Sequence, residues 1–217
     1  MTDPELDHAL TRHTDYGQLP LTEDAIAPDP IEQFRRWLAD ADDAGVYEPN
    51  AMVLSTIDAD RLPSSRTVLL RTVDEHGFEF FTSYTSAKGR ALVVHPHVSI
   101  VFPWYTIHRQ VIVRGTAVPT TPEISDAYFA SRPRGSQIAA AASDQSQPIA
   151  SRDLLEDRVR ELEELYAGGE VPRPATWGGF RVTPSSFEFW QGRSSRMHDR
   201  LRFTRQAGSW QLERLQP

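Results

Sequence analysis

From residue 51 onwards, the chain consists mainly of short segments rich in β-branched and aromatic residues. The first of these read "AMVLSTID", "SSRTVLLRTV", "FEFFTSY", "HVSIVFPWY" and "RQVIVRGTAV". Others near the C-terminus read "WGGFRVTP", "SFEFWQG" and "RLRFTR", with "SWQLERL" behind them. Turn residues such as those at 74–77 separate the segments, which is typical of antiparallel strands. The pattern predicts a mostly β fold with α additions, in which the strands form a closed or partly closed antiparallel barrel.

Helical signals lie between these segments. Asp29 and Pro30 resemble an N-cap followed by a first helical residue, and Glu32 completes a capping box, so a helix is predicted over 30–44. Hydroxyl side chains at capping positions predict three further helices, which begin after Ser86, Thr121 and Ser151. There is no repeated βαβ pattern and no G-x-G-x-x-G motif, which argues against a dinucleotide-binding Rossmann domain.

Two regions lack a regular pattern. Residues 1–28 hold three prolines and no sustained periodicity, and they are predicted to form a flexible N-terminal arm. Residues 133–150 are rich in small and polar side chains, and we interpret them as either a linker or a binding loop. The rest of the chain, 29–217, is predicted to form one domain.

The composition argues against several classes of partner. The 217 residues carry a net charge of −7 and a pI near 5.5, so binding to nucleic acid or to an anionic membrane is not expected. No apolar run approaches the roughly 18 residues that a membrane helix needs. The polar, acidic start is unlike a signal peptide, and the chain has no cysteine. We therefore expect a cytoplasmic protein.

Arg66 and Arg71 are two cationic residues within a largely apolar segment. A spacing of five along one strand would send their side chains to opposite faces. An arginine among apolar residues needs an anionic partner, because burial of an unpaired charge is costly. The partner of each could be a carboxylate of the protein or an anionic ligand.

Two other stretches combine cations with hydroxyl groups. In "FTSYTSAKG", Thr82, Ser86 and Lys88 lie near a predicted helix N-terminus, where free N–H groups and the helix dipole favour an anion. In "AYFASRPRGSQ", Tyr128 and Arg132 share a helical face and Ser136 follows, a combination that suits a second phosphate. Alternatively, Ser86 is only an N-cap, and Arg132 is an ordinary arginine at a helix C-terminus.

The stretch "EFWQGRSSRMHDRL" concentrates cationic groups beside Trp190. If "RMHDR" is extended, Arg196, His198 and Arg200 project to one side. A polyanionic or electron-rich ligand would explain why three mutually repelling groups are kept together. The alternative is a solvated loop. His95 and His97 have no neighbouring ligand set for a metal and are interpreted as structural, so no metal site is expected.

The order and spacing of seven segments resemble one known family. The segments are "SSRTVLLR", "FFTSYTSAKGR", "FPWYTIHRQVIVRG", "DAYFASRPRGSQI", "ASDQSQPI", "VPRPATWGGFRV" and "EFWQGRSSRMHDR". From about residue 30 to the C-terminus, the chain resembles pyridoxamine 5′-phosphate oxidases. The resemblance implies a homodimeric split β-barrel with FMN at the subunit interface. It also implies oxidation of pyridoxamine 5′-phosphate or pyridoxine 5′-phosphate to pyridoxal 5′-phosphate, with O₂ reduced to H₂O₂.

The resemblance further implies roles for individual residues. FMN would be bound by Arg66, Thr82, Lys88, Gln110, Gln145, Ser146, Trp190 and Arg200. The substrate would be bound by Arg71, Tyr128, Arg132, Ser136, Arg196 and His198. Of these, Arg196 and His198 would be catalytic and would lie over the pyridine ring.

The chain also departs from the family pattern. Arg71 stands where family members usually have lysine, and Ala87 where they often have arginine. In the N-terminal arm Tyr16 is kept, but His13 and Thr14 stand at positions of arginine. The alternatives to a vitamin B6 oxidase are a related flavin oxidase with a different substrate and a non-catalytic protein that binds FMN or pyridoxal phosphate.

Overall fold

Strands and helices alternate along the chain in the computed structural model, which describes residue 11 and residues 14–217. The helices in this part are α1 (Pro30–Asp43), α2 (Ala87–Val94), α3 (Pro122–Ser131), α4 (Arg134–Ala142) and α5 (Arg152–Leu165). The strands are β1 (Ala51–Ile57), β2 (Pro63–Leu69), β3 (Thr72–Asp74), β4 (Gly77–Ser83), β5 (His97–Trp104), β6 (Arg109–Pro119), β7 (Trp177–Gln191), β8 (Asp199–Gln206) and β9 (Ser209–Leu215). Two short 3₁₀ turns, Tyr105–Ile107 and Ser194–Arg196, precede β6 and β8.

All these strands belong to one antiparallel sheet. Its main path runs β2-β1-β5-β6-β7-β4-β3, and β8 and β9 extend from β7. Along the same edge of β7, β4 pairs with the first half of the strand and β8 with the second half. The predicted antiparallel split barrel with added helices is confirmed.

Strand β7 is one strand of 15 residues, although the sequence predicted two shorter strands there. Its register against β6 shifts at Arg114 and Gly115, which leaves Ser185 as an extra residue beside Pro184. A bulge tolerates proline because the ladder of hydrogen bonds is already interrupted there. The Pro-Ser pair is therefore an irregularity inside a continuous strand, and the prediction of two separate strands was wrong.

The helices mostly begin where the sequence predicts. Asp29 accepts hydrogen bonds from the N–H groups of Ile31 and Glu32. The other predicted caps, Ser86, Thr121 and Ser151, each accept one as well. Helix α4 was not predicted, because residues 133–150 were interpreted as a linker or a binding loop, whereas 134–142 are helical. Its N-cap position is Pro133, which makes no side-chain cap, so the usual start signal is missing.

Aromatic side chains dominate the core between α1 and the sheet. Phe34 of α1 is fully buried, and its ring lies 4.9 Å from Phe78 and 4.7 Å from Phe102. A second, smaller cluster lies between α3, α4 and the start of β7, and is formed by Phe129, Ile138, Val171 and Trp177. Of these four residues, Trp177 also lines the cavity described below.

Residues 14–28 lie against the barrel. Leu21, Ile26 and Ala27 are buried, and the N–H of Leu21 donates to Asp199 at 3.0 Å. The predicted division between an arm and a domain at residue 28 stays a prediction, as does the flexibility of the arm. Among the described residues, no helix is long and apolar enough to cross a membrane.

Candidate active site

A cavity of about 450 Å³ opens between β2, β4, the start of β7 and helices α2 to α4. Seven residues singled out in the sequence line this one cavity: Arg71, Thr82, Lys88, Tyr128, Arg132, Ser136 and Gln145. None of the described lining residues is acidic. The cavity therefore combines cations and hydroxyl groups without a carboxylate to neutralise them.

Lys88 enters the cavity from the first turn of α2. It is the only lysine of the sequence, and it is 8% exposed. Its ammonium donates to the Thr82 hydroxyl at 3.1 Å, which in turn donates to Gln145 Oε1 at 3.0 Å. Burial lowers the pKa of Lys88, and the nearby charge of Arg66 lowers it further. An anion beside Lys88 would offset both effects.

The hydroxyl of Ser86 is used by the protein itself. It accepts from the N–H of Gly89 as the N-cap of α2 and donates to the carbonyl of Ser83 at 2.7 Å. Gly89 lets the helix approach β4 closely, because a Cβ there would lie 2.3 Å from the carbonyl oxygen of Tyr84. Of the two alternatives for Ser86, the structure favours the N-cap.

Arg132 follows α3 as its C-cap residue, and Ser136 lies in the first turn of α4. Burial lowers the pKa of the Arg132 guanidinium, and the charge of Arg71 adds to this effect. The Nη1 atom of Arg132 is buried and has no hydrogen-bond partner among the described residues. A buried donor without a partner is costly, and this one borders the cavity.

Arg66 and Arg71 also lack carboxylate partners. Arg66 donates to the carbonyl of Leu54 and to the hydroxyls of Thr56 and Ser64, all neutral acceptors. Neither arginine forms an ion pair within the described part of the chain. Strand β2 ends at Leu69, so strand alternation does not extend to Arg71, and the prediction of opposite faces of one strand was wrong.

These observations test whether a phosphorylated ligand fits. Three cations, Arg71, Lys88 and Arg132, line the cavity. The Nη1 donor of Arg132 is buried and has no partner among the described residues, and the N-terminus of α2 adds its dipole. A phosphate brings two negative charges and several acceptor oxygens, and it is the kind of group such an arrangement binds. The residues present therefore fit a phosphate-bearing cofactor or substrate.

A second pocket contains the catalytic residues that the sequence predicted. It is lined by Thr14, Asp15, Tyr16, Arg193, Ser195, Arg196 and His198. The ring of Tyr16 meets those of His108, Trp190 and His198 edge-on, at centroid distances of 5.0, 5.8 and 5.6 Å. His13, the other altered position of the arm, lies outside the described residues.

The segment around Arg196 is a turn, and the prediction of an extended run was wrong. Ser194–Arg196 form a 3₁₀ turn in which Ser195 and Arg196 have φ of 57° and 60°. Such left-handed conformations are strained for residues other than glycine. The backbone N–H of Arg193 donates to His198 Nδ1 at 3.0 Å, so the hydrogen of the neutral imidazole lies on Nε2.

The titration of His198 is shifted in the same direction by two causes. Burial lowers its pKa, and the positive charge of Arg196 lowers it further. His198 is therefore neutral at pH 7 and presents an Nε2–H donor.

Three other predicted residues form a row across the sheet. Gln110 on β6 pairs with Trp190 on β7, which pairs with Arg200 on β8. Directly paired residues of an antiparallel sheet share a face. Arg200 also donates to Glu188 at 2.8 Å. Ser146, with φ of 72°, lies in the exposed loop after Gln145 and lines neither pocket.

The row and the cavity lie at opposite ends of β7. Trp177 lines the cavity, whereas Trp190 lies 13 residues further along the strand. At 3.3 Å per residue this is up to about 43 Å, longer than one mononucleotide. No described residue lines both the cavity and the second pocket. One chain therefore holds two separate groups of candidate site residues at opposite ends of β7, which we call half-sites.

Sequence reasoning missed several residues of these half-sites. Phe81 and Trp177 line the cavity beside the cations, and Arg193 fixes the tautomer of His198. Trp177 was not among the candidate site residues that the sequence predicted. Its signal was its position directly before "GGF", where two glycines allow close packing against Tyr84 and Phe81.

Fold and site together define a split-barrel protein with a cationic cavity whose lining fits a phosphate group. Residues 38–166 match the family described as pyridoxamine 5′-phosphate oxidase. Residues 177–217 match the pyridoxine 5′-phosphate oxidase C-terminal dimerisation region.

Relatives and solved structures agree with this match. A protein of Rubrobacter xylanophilus named pyridoxine/pyridoxamine 5′-phosphate oxidase is 53% identical over 203 residues, 94% of each chain. A protein of the same name from Paraburkholderia phymatum is 50% identical, over 96% of this chain and 97% of that one. The crystal structure of PhzG from Burkholderia lata, in complex with tetrahydrophenazine-1-carboxylic acid, has a TM-score of 0.88. It is 34% identical and covers 93% of this chain and 100% of its own. The chain belongs to the pyridoxamine 5′-phosphate oxidase family.

Proposed function

We propose that the protein oxidises pyridoxamine 5′-phosphate and pyridoxine 5′-phosphate to pyridoxal 5′-phosphate. With the amine, O₂ and water are consumed, and ammonia and H₂O₂ are released. With the alcohol, O₂ is consumed and H₂O₂ is released. The names of the relatives at about 50% identity support this reaction. The proposed location in the cytoplasm stays a prediction.

One observation favours a phosphorylated substrate over an unphosphorylated one. The cavity gathers Arg71, Tyr128, Arg132 and Ser136 around a buried guanidinium nitrogen that has no partner among the described residues. A substrate without a phosphate would leave this nitrogen unsatisfied. A phosphorylated substrate would supply the missing acceptor and offset the repulsion between Arg71 and Arg132.

FMN is the cofactor of this family. In the proposed site Arg66, Thr82 and Lys88 would hold its phosphate, and Gln145 and Ser146 would lie beside them. Gln110, Trp190 and Arg200 would contact the same molecule from a second chain, since one chain separates the two groups along β7. The matched dimerisation region supports this homodimer. When bound, FMN supplies the acceptor for the two electrons that leave the substrate, which O₂ finally takes up.

Arg196 and His198 are the two residues that would contact the reacting part of the substrate. Neutral His198 would donate from Nε2 to a substrate oxygen or nitrogen and fix the rotation of the ring. Arg196 is exposed in this chain and makes no ion pair among the described residues, so its guanidinium is available to the substrate. Its positive charge would also keep His198 in the neutral form.

A second candidate substrate comes from the match to PhzG. That structure is named as a complex with a tetrahydrophenazine carboxylic acid, so a related flavin oxidase acting on a phenazine precursor is the alternative. Such a substrate has a carboxylate but no phosphate. The cluster of cations in the cavity favours the vitamin B6 phosphates.

The deciding experiment measures H₂O₂ release by the FMN-loaded protein. The substrates are pyridoxamine 5′-phosphate, pyridoxine 5′-phosphate, unphosphorylated pyridoxamine and tetrahydrophenazine-1-carboxylic acid. We expect turnover of both phosphates and a kcat/KM for pyridoxamine at least about 100-fold lower, because one charge-assisted contact alone accounts for roughly 10- to 150-fold. Faster turnover of the phenazine, or no preference for the phosphate, would contradict the proposal.

A further inference from the structure

Three aromatic rings form a parallel stack along the wall of the cavity. The rings of Phe81 and Tyr128 lie 3.9 Å apart at an interplanar angle of 21°. Trp177 continues the arrangement at 5.7 Å from Phe81 and 15°, and at 6.2 Å from Tyr128 and 6°. All three residues line the cavity. We call Phe81, Tyr128 and Trp177 the aromatic stack.

Two arginine side chains lie over rings of the aromatic stack. The Cζ atom of Arg71 lies 5.8 Å from the centre of the Tyr128 ring. The Cζ atom of Arg132 lies 4.7 Å from the centre of Trp177, and also 5.7 Å from that of Phe129. The two cations approach closely enough for the charge of Arg71 to lower the pKa of Arg132.

The aromatic contacts account for the side-chain position of Arg132. Within the described part of the chain, this guanidinium forms no ion pair, and its Nη1 has no hydrogen-bond partner. The residue is anchored at its backbone, where its N–H donates to Phe129 and its carbonyl accepts from Gln137. A planar cation over an aromatic face is attracted by the ring quadrupole, more strongly when water is excluded. The ring of Trp177 therefore holds the guanidinium at the cavity before any anion arrives.

We propose that the aromatic stack pre-positions Arg71 and Arg132 as a two-armed clamp for a phosphate group, with Trp177 as a positioning residue. The inference rests on the proposed function for the identity of the substrate but not for the binding of phosphate itself. It also explains why arginine suits position 71. A guanidinium can lie flat on Tyr128, whereas a lysine ammonium has no planar face.

The test compares three variants of the flavin-loaded protein. Trp177→Leu removes the ring under Arg132. Trp177→Phe keeps an aromatic face. Ile138→Ala is the matched control, because Ile138 is fully buried in the same cluster and makes no cation–π contact. Each protein is titrated calorimetrically with inorganic phosphate, and KM and kcat are measured separately with pyridoxamine 5′-phosphate.

We expect Trp177→Leu to weaken phosphate binding about 5- to 30-fold, which corresponds to roughly 1 to 2 kcal/mol at 1.4 kcal/mol per decade. KM should rise by a similar factor, with kcat within about twofold of the parent. Trp177→Phe should stay within about threefold, and Ile138→Ala should bind phosphate like the parent despite its lower stability.

Parent-like phosphate binding by Trp177→Leu, or an equal loss in Ile138→Ala, would overturn the role of the stack. If Trp177→Leu does not fold, Phe81→Leu is tested in its place, because it removes the central ring of the stack. Phe81→Leu should weaken phosphate binding, whereas Ile138→Ala should lower only the stability. Failure of the proposed function has a different signature. Phosphate binding would still depend on Trp177, but pyridoxamine 5′-phosphate would not be turned over.

Discussion

At the scale of single residues, two groups of cations in this chain differ in their partners. Arg109, Arg181 and Arg214 form ion pairs with carboxylates at 2.5 to 2.7 Å, and they tie elements of the fold together. Arg71, Lys88 and Arg132 line one cavity and have no such pair among the described residues. Arg66 has none there either, and it lies close enough to Lys88 to lower the pKa of that ammonium. A protein with a net charge of −7 thus keeps its carboxylates away from the place where it needs positive potential.

The pairing of Arg196 with His198 leads to a prediction about pH. Burial and Arg196 lower the pKa of His198, and the N–H of Arg193 occupies Nδ1. A protonated Nδ1 could no longer accept that hydrogen bond. In Arg196→Ala, we expect the pKa of His198 to move up towards 6.5, because one of the two causes is removed.

Histidine NMR titration measures this shift, and the acidic limb of the kcat/KM profile should move to higher pH with it. Arg205→Ala, which alters an exposed cation over Trp210, is the control and should leave the His198 titration unchanged. Because the folded pKa lies below the unfolded one, the contribution of His198 to stability should decline as the pH falls through about 6.5. An unchanged titration in Arg196→Ala would contradict the assigned coupling.

At the scale of elements, the turn before β8 depends on a segment near the other end of the chain. The hydroxyl of Ser194 donates to Asp15 at 2.6 Å and lies 3.0 Å from the carbonyl of Gly17, and it accepts from Gln18. The backbone N–H of Ser194 donates to the same carbonyl at 2.9 Å. These contacts lay Tyr16 against His198 and hold a turn whose backbone conformation is strained.

Ser194→Ala should therefore loosen residues 14–18. A lost hydrogen bond is worth about 0.5–1.5 kcal/mol, so we expect amide exchange in this segment to accelerate about 2- to 12-fold. Hydrogen exchange with mass spectrometry measures it, and Ser209→Ala, at the start of β9, is the matched control. A protection pattern like that of the parent would show that Ser194 does not hold the segment.

At the scale of the whole molecule, we propose that the two half-sites at opposite ends of β7 combine in a dimer, so that each complete site is formed by both chains. A mixed dimer tests this directly. In a dimer of one Lys88→Gln chain and one Arg200→Ala chain, one site carries both changes and the other carries none. Random exchange of equal amounts should restore about a quarter of the parent activity, since half of the dimers are mixed and each has one intact site.

The control mixes Lys88→Gln with Arg66→Ala, two changes in the same half-site. Each site of that dimer keeps one defect, so activity should not return. Restoration in the control, or none in the first mixture, would contradict a site shared between two chains. Flavin fluorescence, recorded on the same samples, distinguishes a loss of bound FMN from a loss of turnover.

The sequence alone determined the composition of the site. Hydroxyls, cations and caps are local signals that marked several candidate residues. The resemblance to a known family, carried by the order of seven segments, then implied the site residues from Arg71 to Gln145 that line the cavity. The start of α2 at Ser86 and the start of α1 at Asp29 were predictable for the same reason, since capping depends on a few neighbouring residues. The antiparallel barrel followed from the period of apolar residues along each segment.

Tertiary structure decided what these residues can do. The turn at Ser194–Arg196 adopts its strained form because Asp15 and Gly17 bind it from more than 170 residues away. Strand β7 is continuous because of its register with β6. The start of helix α4 could not be predicted, because its N-cap position makes no side-chain hydrogen bond. Distant segments must meet before Arg132 can stack on Trp177 and before the cavity acquires a lining that holds no carboxylate among its described residues. Burial and Coulomb interactions act through space, so a pattern of residues along the chain does not encode them directly.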